Sequence, residues 1–489
     1  MRLSRLTLEM PKKLRKYMTE FKLKDCIKVA QTLANAFRYL SHFENIQEWD
    51  PGVNWCRPIT LAEPRIGSEY LLSFRTGLTS LEIRYRMVEF DPGKRIKLEG
   101  VGVGFKAIDE IGFSGAGEGC EINYAAHITL DTSLPKAILQ PVMQIVGKRA
   151  MKGLKRALSV PMQSHRASIG SSLEDRLIAP GVANYSALGW HRHKQYFQGP
   201  LPSLADKWVL ITGATSGLGL SVAERLASNG ANLILVGRDQ QKLEAVRSDF
   251  QKRGATTKIE LLEADLSRPS DLTKLVKEVQ GKTDRLHALI NNAGLISDQF
   301  RINDAGIEES IYVNLFAPYY LMHALRDLLK RDDESRIVNV SSGGMYTQRL
   351  NMQALKIPRS ADFDGTVAYA QAKRGLVILT EELAKDSEFA GIGVHAMHPG
   401  WADTPGVRSS LPRFYKATKG ILRTSEQGSD TITWLASAPA SAVGSGQFWF
   451  DRSPRSAHLI PGTKEPASDR KALMEYFAEK FPSVKDVQL

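Results

Sequence analysis

Val209-Leu-Ile-Thr-Gly-Ala-Thr-Ser-Gly-Leu-Gly-Leu220 is a short apolar run that breaks into glycines and then resumes as an amphipathic segment. Val209, Leu210 and Ile211 suit a strand buried on both faces, as parallel strands under helices are. Gly213 permits a tight turn, and Gly217 and Gly219 lack the Cβ atoms that would hold a pyrophosphate off the backbone. Leu218, Val222 and Leu226 recur at helical spacing, so a helix N-terminus points its unpaired N–H groups at an anion. Gly213, Ser216, Gly217, Leu218 and Gly219 are thus the candidate contacts of a dinucleotide phosphate. Taken alone, the stretch also reads as an ordinary strand-turn-helix.

The rest of the chain decides between the two. From Leu204 onward strand-like and helix-like segments alternate, which predicts a doubly wound parallel sheet of Rossmann type. The second strand, Asn232 to Val236, ends at Gly237-Arg238. An acid at that tip would accept from a ribose 2′-hydroxyl, whereas Arg238 can pair with a 2′-phosphate. The expected cofactor is NADP, with NAD as the alternative because Asp239 lies next door.

These residues resemble the short-chain dehydrogenase/reductase (SDR) family. Thr212-Gly-Ala-Thr-Ser-Gly-Leu-Gly219 fits its glycine motif, Asp265-Leu266 the pair bordering the adenine pocket, and Asn291-Asn-Ala-Gly294 the motif that stabilises the central sheet. Asn292, Ala293, Gly294, Tyr369 and Lys373 are counted with the cofactor contacts. Asn314, Ser342, Tyr369 and Lys373 fill the places of the family's catalytic tetrad, and Thr404, after His398-Pro-Gly400, that of a nicotinamide contact.

The chemistry requires these side-chain types. Tyr369 and Lys373 are one helical turn apart and leave the same face. A Lys ammonium and an oxidised nicotinamide near a phenol favour the phenolate and lower its pKa. Tyr369 is then general acid in carbonyl reduction or general base in alcohol oxidation. Ser342 donates to the substrate oxygen, and the resemblance implies that Asn314 holds a water relaying protons to Lys373. More narrowly, Ser342-Gly-Gly-Met345, Phe363-Asp-Gly-Thr366, His398 to Gly406 and Ser425-Glu-Gln-Gly428 resemble the SDR family member 12 group. Leu350 to Arg359 is expected as an insertion at the mouth of the pocket.

The first third of the chain has a different texture. Leu81, Ile83, Tyr85 and Met87 alternate with polar residues, as do Ile122, Tyr124, Ala126, Ile128 and Leu130, predicting antiparallel strands. Ile138, Leu139, Val142, Ile145 and Val146 then form one face of a long helix with a basic end. This order of elements resembles the SRPBCC superfamily (polyketide cyclase and START-like helix-grip domains). The resemblance implies an α+β domain that binds a hydrophobic molecule or lipid; apolar residues that merely fill a core are the alternative. The expected division is residues 1–160 for this domain, 161–203 for a linker with some local structure, and 204–489 for the Rossmann domain. Trp190-His-Arg-His193 in the linker lacks a third ligand at useful spacing, so no metal site is predicted.

Composition bounds the rest. The chain has 489 residues, 43% hydrophobic and 24% charged, the balance of a globular protein. No apolar run is long enough to span a membrane. The three cysteines, Cys26, Cys56 and Cys120, are scattered, which predicts a reducing, cytoplasmic setting. Met1 to Met18 is basic but has no signal-peptide core. The net charge of +12 reads as a solvated surface suited to an anionic cofactor. Contact of the basic helix end with a membrane surface is a weaker reading, and no nucleic-acid module is recognisable. The sequence therefore predicts an NADP-dependent oxidoreductase acting on an apolar carbonyl or secondary alcohol, fused to a hydrophobic-ligand domain. The alternative is a lipid-binding or redox-sensing protein with a weakly active SDR domain. Family resemblance implies a homo-oligomer.

Overall fold

The computed structural model describes residues 18–76, 79–117, 119–132, 134–159, 182–197, 201–356 and 363–481, which gather into two compact units. The basic stretch before Met18 lies outside the described residues.

The first unit comprises residues 18–59 and 64–159. Its strands are β1 (Met18–Val29), β2 (Val53–Pro58), β3 (Glu69–Thr76), β4 (Thr79–Asp91), β5 (Arg95–Gly102), β6 (Phe105–Ala116) and β7 (Gly119–Asp131). They pair antiparallel in the order β1-β7-β6-β5-β4-β3-β2. Period-two alternation decides which side is buried: Ile83, Tyr85 and Met87 of β4 and Ile122, Tyr124 and Ala126 of β7 point into the core. Gly93, at φ +73°, turns β4 into β5 in a conformation that residues with a Cβ avoid.

The helix Lys136–Ser159 completes this helix-grip arrangement, but with a different face from the one the sequence suggests. Ile138, Val142 and Ile145 are 58%, 52% and 51% exposed, while Ala150, Met151, Leu154, Ala157 and Leu158 enter the core. The helix meets the core only from about Gly147, where it approaches Leu23 of β1. Contact is tightest at Gly153, where an added Cβ would collide with the Trp49 carbonyl oxygen.

Inside the unit Asp109 of β6 is buried without a cation. The Tyr124 hydroxyl donates to its Oδ1 at 2.8 Å. Burial pushes the Asp109 carboxyl up to about 6, partly offset by hydrogen bonds from Tyr124 and Tyr85.

The second unit comprises residues 60–63, 182–197 and 201–481. Its strands are β8 (Trp208–Thr212), β9 (Asn232–Gly237), β10 (Ile259–Glu263), β11 (Ala288–Asn291), β12 (Arg336–Val340), β13 (Gly393–Met397), β14 (Phe448–Phe450) and β15 (Ser453–Pro454). They run β10-β9-β8-β11-β12-β13-β14-β15, parallel except for the last pair. The chain reverses its direction of travel between β8 and β11, where a crevice opens at the strands' carboxyl ends in doubly wound sheets. The strands read as continuous apolar runs because helices cover both faces.

Within the stretch expected as a linker, residues 182–185 and 187–193 are helical and lie in the second unit, with Trp190 fully buried. His193 Nδ1 stands 2.6 Å from Asp451 Oδ2. Among the described residues no group of His, Cys, Asp and Glu is placed to hold a metal ion, and no helix is long and apolar enough to cross a membrane.

The Gly153 contact sets a test. Alanine there gains roughly 1 kcal/mol of helix propensity, but a Cβ driven into backbone costs more, on the order of 1–3 kcal/mol or above. Gly153→Ala should lower the unfolding free energy of the first unit, read by calorimetry on the full chain. An unchanged or higher transition would mean that the helix can lift off Trp49 freely.

Candidate active site

The glycine loop is built as a turn between β8 and the helix Gly217–Ser228. Gly213 has φ +67° and Gly217 φ +56°. Ser216 precedes the helix in extended backbone and makes no side-chain cap bond, leaving the first N–H groups without that partner. Gly219 plays a different part from the one read in the sequence. A Cβ there would collide with Gly213 O and lie 2.6 Å from Asn292 Nδ2, so its smallness serves helix-to-strand packing. Gly217 is the glycine whose missing Cβ faces Thr404, 3.5 Å away.

Thr212 ties this loop to the next motif. Its Oγ1 accepts from the backbone N–H groups of Asn292 and Ala293, both at 3.0 Å, and lies 3.3 Å from Ile290 O. Asn292 Nδ2 donates to Thr212 O at 2.9 Å and to Gly213 O at 3.2 Å. Thr212 opens the glycine motif in the sequence, but its part in tying the loop to Asn292 and Ala293 is not legible there.

At the tip of β9, a Cβ on Gly237 would stand 3.0 Å from Thr215 Cγ2. Arg238 is exposed and makes no ion pair among the described residues. Asp239, the competing acid, caps the helix Gln240–Lys252: its Oδ1 accepts from Lys242 N at 3.1 Å, which holds the carboxyl below the usual range. Asp265 Oδ1 accepts from Ser267 N at 3.0 Å and Oγ at 2.8 Å, and Leu266 is buried.

The four tetrad candidates and Gly294 converge at the ends of β11 and β12. Asp364 starts the helix Gly365–Leu383 by accepting from Thr366 N at 2.8 Å and Val367 N at 3.0 Å. Further along, Lys373 is only 3% exposed, its Nζ donating to Val340 O at 2.8 Å and lying 5.7 Å from the centre of the Tyr369 ring. Ser342 Oγ accepts from Gly344 N at 3.2 Å, and its hydroxyl acts on the neighbouring Tyr369 phenol. Asn314 sits in a π-helical turn, Tyr312–Phe316, of the kind often found at functional sites. Its Nδ2 donates to Leu295 O at 2.6 Å and Ser310 O at 2.7 Å, and its Oδ1 accepts from Leu295 N at 3.3 Å. A Cβ on Gly294 would stand 3.1 Å from Asn314 Oδ1 and 3.7 Å from Lys373 Nζ, so glycine keeps open the space between them.

The electrostatics depart from the expected pairing. Burial pushes the Lys373 ammonium down to about 7. Burial also pushes the Tyr369 phenol up, and the neighbouring Ser342 hydroxyl draws it back only in part. The chain's own groups thus weaken the charge on the lysine and keep the phenol protonated, because desolvation acts on both and among the described residues no carboxylate offsets it.

Beyond β13, His398 stacks on Phe450 at 4.2 Å, and burial holds it down to about 3. Gly400 comes two residues later at φ +74°. Thr404 caps the short helix Pro405–Ser410, its Oγ1 accepting from Val407 N at 3.3 Å. The described part of the expected insertion, residues 350–356, packs elsewhere than at the tyrosine. Asn351 N donates to Gln371 Oε1 at 2.9 Å, and position 371 lies about 200° around the helix from Tyr369. Residues 357–359 lie outside the described residues.

Comparison with known proteins agrees with these features. The family profile described as short chain dehydrogenase matches residues 207–413, and that described as polyketide cyclase / dehydrase and lipid transport matches residues 20–159. Human dehydrogenase/reductase SDR family member 12 is 39% identical over 56% of this chain and 86% of its own length. Human retinol dehydrogenase 11 is 30% identical over 51% of this chain and 78% of its own. A solved structure of an NAD(P)-dependent gluconate 5-dehydrogenase from Beutenbergia cavernae, with bound NADP, is 27% identical, covers 50% of this chain and 95% of its own, and has a TM-score of 0.41.

Lys373 makes stability depend on pH. Its folded value near 7 lies below its unfolded value near 10.5, so the unfolded chain alone takes up the proton between them. Wild-type stability should therefore fall as pH drops from about 10.5 to about 7. Lys373→Met lacks that loss and should gain on wild type by a few kcal/mol across this window in urea titrations. A difference that stays constant with pH would show that Lys373 remains charged when folded.

Proposed function

This chain belongs to the short-chain dehydrogenase/reductase family of oxidoreductases, and from that membership we propose that it is NADP-dependent and acts on the carbonyl or secondary alcohol of an apolar small molecule. The observation that carries the reading is the Tyr369 phenol, set beside Ser342 with the buried Lys373 amine 5.7 Å from its ring centre.

In reduction, Tyr369 gives its proton to the substrate oxygen while Ser342 donates a hydrogen bond to the same atom and stabilises the developing charge. In oxidation, Tyr369 removes the alcohol proton. Lys373, with a value near neutrality, is matched to taking up and releasing that proton at working pH. Asn314, beside it across Gly294, is assigned to the water that links Lys373 to solvent.

Gly213, Ser216, Gly217 and Leu218 would hold the pyrophosphate of NADP, Arg238 its 2′-phosphate, and Asp265 with Leu266 its adenine. Asn292, Ala293 and Gly294 would line the ribose, and Thr404 would meet the carboxamide. When bound, NADP supplies or accepts the hydride. The preference over NAD is supported by the unpaired Arg238 and by Asp239 being occupied as a helix cap.

The apolar substrate is supported by the likeness to retinol dehydrogenase 11, whose name specifies such a molecule. A hydrophobic ligand for the first unit is supported by its match to a family that includes lipid transport. On this reading the working reductase begins before residue 204, with the helices of 182–193 included.

The test is NADPH oxidation by the full chain against apolar aldehydes and ketones, retinal among them. Tyr369→Phe should lower kcat/KM by roughly 10³-fold while NADPH affinity stays nearly unchanged. Arg238→Ala should raise the KM for NADPH by about tenfold, the loss of one charge-assisted contact, and leave that for NADH unaffected. Equal activity in Tyr369→Phe would sink the acid–base assignment; parallel shifts for both cofactors would sink the role of Arg238.

A further inference from the structure

The helices of residues 182–193 precede the span matched as a dehydrogenase, yet they meet the loop that carries Thr404 through one arginine. Arg423 is 1% exposed. Its Nε donates to Tyr185 O at 3.0 Å and Ser186 O at 3.2 Å, its Nη2 to Asn184 O at 2.8 Å, and its Nη1 lies 3.5 Å from Pro399 O. The guanidinium also grips the buried Asp451 with both ends, at 2.5 and 2.9 Å, and Asp451 reaches back to His193 of the same helices.

The backbone repeats the connection. Trp401 N donates to Tyr185 O at 2.7 Å, Arg423 N to Trp401 O at 2.7 Å, and Asp403 N to Arg423 O at 2.8 Å. Ala187 N donates to Ile421 O at 2.9 Å. Gly400 has no room for a side chain, since its Cβ would stand 2.5 Å from Arg423 Nε and 2.7 Å from Tyr185 O. The Tyr185 ring lies edge-on to His398 at 4.8 Å, and its Cε2 would be 3.9 Å from a Cβ on Gly343, the residue after Ser342.

A buried ion pair adds little net stability over apolar packing, but a guanidinium fork fixes direction. Asp451 and its neighbour Arg452 both hold left-handed backbone, φ +50° and +56°, a strain that persists only where surroundings enforce it. Arg452 is fixed in turn by two bonds to Asp430, at 2.8 and 2.7 Å.

We propose that residues 184–193 are a strut of the cofactor site: through Arg423 and Asp451 they hold the 398–404 loop in the geometry that presents Thr404 to NADP. Arg423 and Asp451 act as positioning residues. The inference rests on the NADP reading of that loop.

The experiment uses the full chain with Arg423→Lys and Asp451→Asn, comparing amide hydrogen exchange without cofactor, the NADPH dissociation constant by fluorescence, and kcat. Lysine keeps the charge but loses the fork, so it should not rescue. The expected result is exchange at Trp401 and Asp403 and an NADPH dissociation constant each raised by roughly tenfold or more. Exchange in β8 and β12 should not change, and kcat at saturating NADPH should stay close to wild type. Unchanged exchange at Trp401 and Asp403, or faster exchange with unaltered NADPH affinity, overturns the proposal. Should both variants fail to fold, Gly400→Ala, which wedges the same contact, must weaken NADPH binding or the proposal falls. A wild type that does not bind NADPH overturns the cofactor reading instead, and exchange at the two amides still decides whether the strut holds the loop.

Discussion

The candidate active site depends on keeping a lysine inside the protein with no carboxylate, among the described residues, to neutralise it. Lys373 is 3% exposed, and among the described residues the amine's hydrogen-bond partner is the Val340 carbonyl at the end of β12. A buried ammonium is costly unless paired, and the structure meets that cost by lowering the group's pKa to about 7. The position is enforced from several sides. Asp364 starts the helix that carries Lys373, Ser341 Oγ donates to the Lys373 carbonyl at 3.0 Å, and Gly294 leaves room beside the amine. An aspartate brought near Nζ would favour the charged amine and remove a group whose value lies near neutral pH.

The remaining parts are held by backbone rather than by charge. Three bonds among Thr212, Asn292 and Gly213, with two more joining Thr212 to Ala293 and Ile290, fix the glycine loop against the end of β11. Gly219 lets the next helix close on that junction. Asn314 is brought to the same place by a π-helical turn, which widens the helix by one residue and turns the amide toward Leu295. Each bond in this group involves a main-chain atom.

Much of this is legible in the sequence because the motifs are short and local. The strand, turn and helix around Gly213 lie within one run, and Tyr369 and Lys373 are neighbours on any helix. Gly237 and Arg238 declare themselves at the end of an apolar strand. Sequence periodicity misjudges the helix Lys136–Ser159, where an apolar face at Ile138, Val142 and Ile145 implies burial that the tertiary packing does not supply. Gly219 misleads as to its role because a missing Cβ serves equally for a ligand or for a neighbouring carbonyl. The Arg423 network is invisible for a different reason: its members, at residues 184–193, 398–403, 423 and 451, are far apart in the chain, and each alone is an ordinary polar residue.

Two ways of burying a titratable group divide the labour in this protein. Asp109, near 6, and Lys373, near 7, are kept within reach of neutral pH by burial without an opposite charge. Asp451 is treated in the other way: against the upward push of burial, Arg423 and His193 hold its carboxyl well below the usual range. A group of the first kind can gain or lose a proton during a reaction at little cost. A group of the second kind cannot, because protonating Asp451 would strand the Arg423 guanidinium among backbone carbonyls. Such a pair is therefore unsuited to acid–base work, and its use is to fix the position of what it touches. The same reasoning separates Lys373, whose proton is held near neutral pH, from Arg423, whose charge is fixed by Asp451.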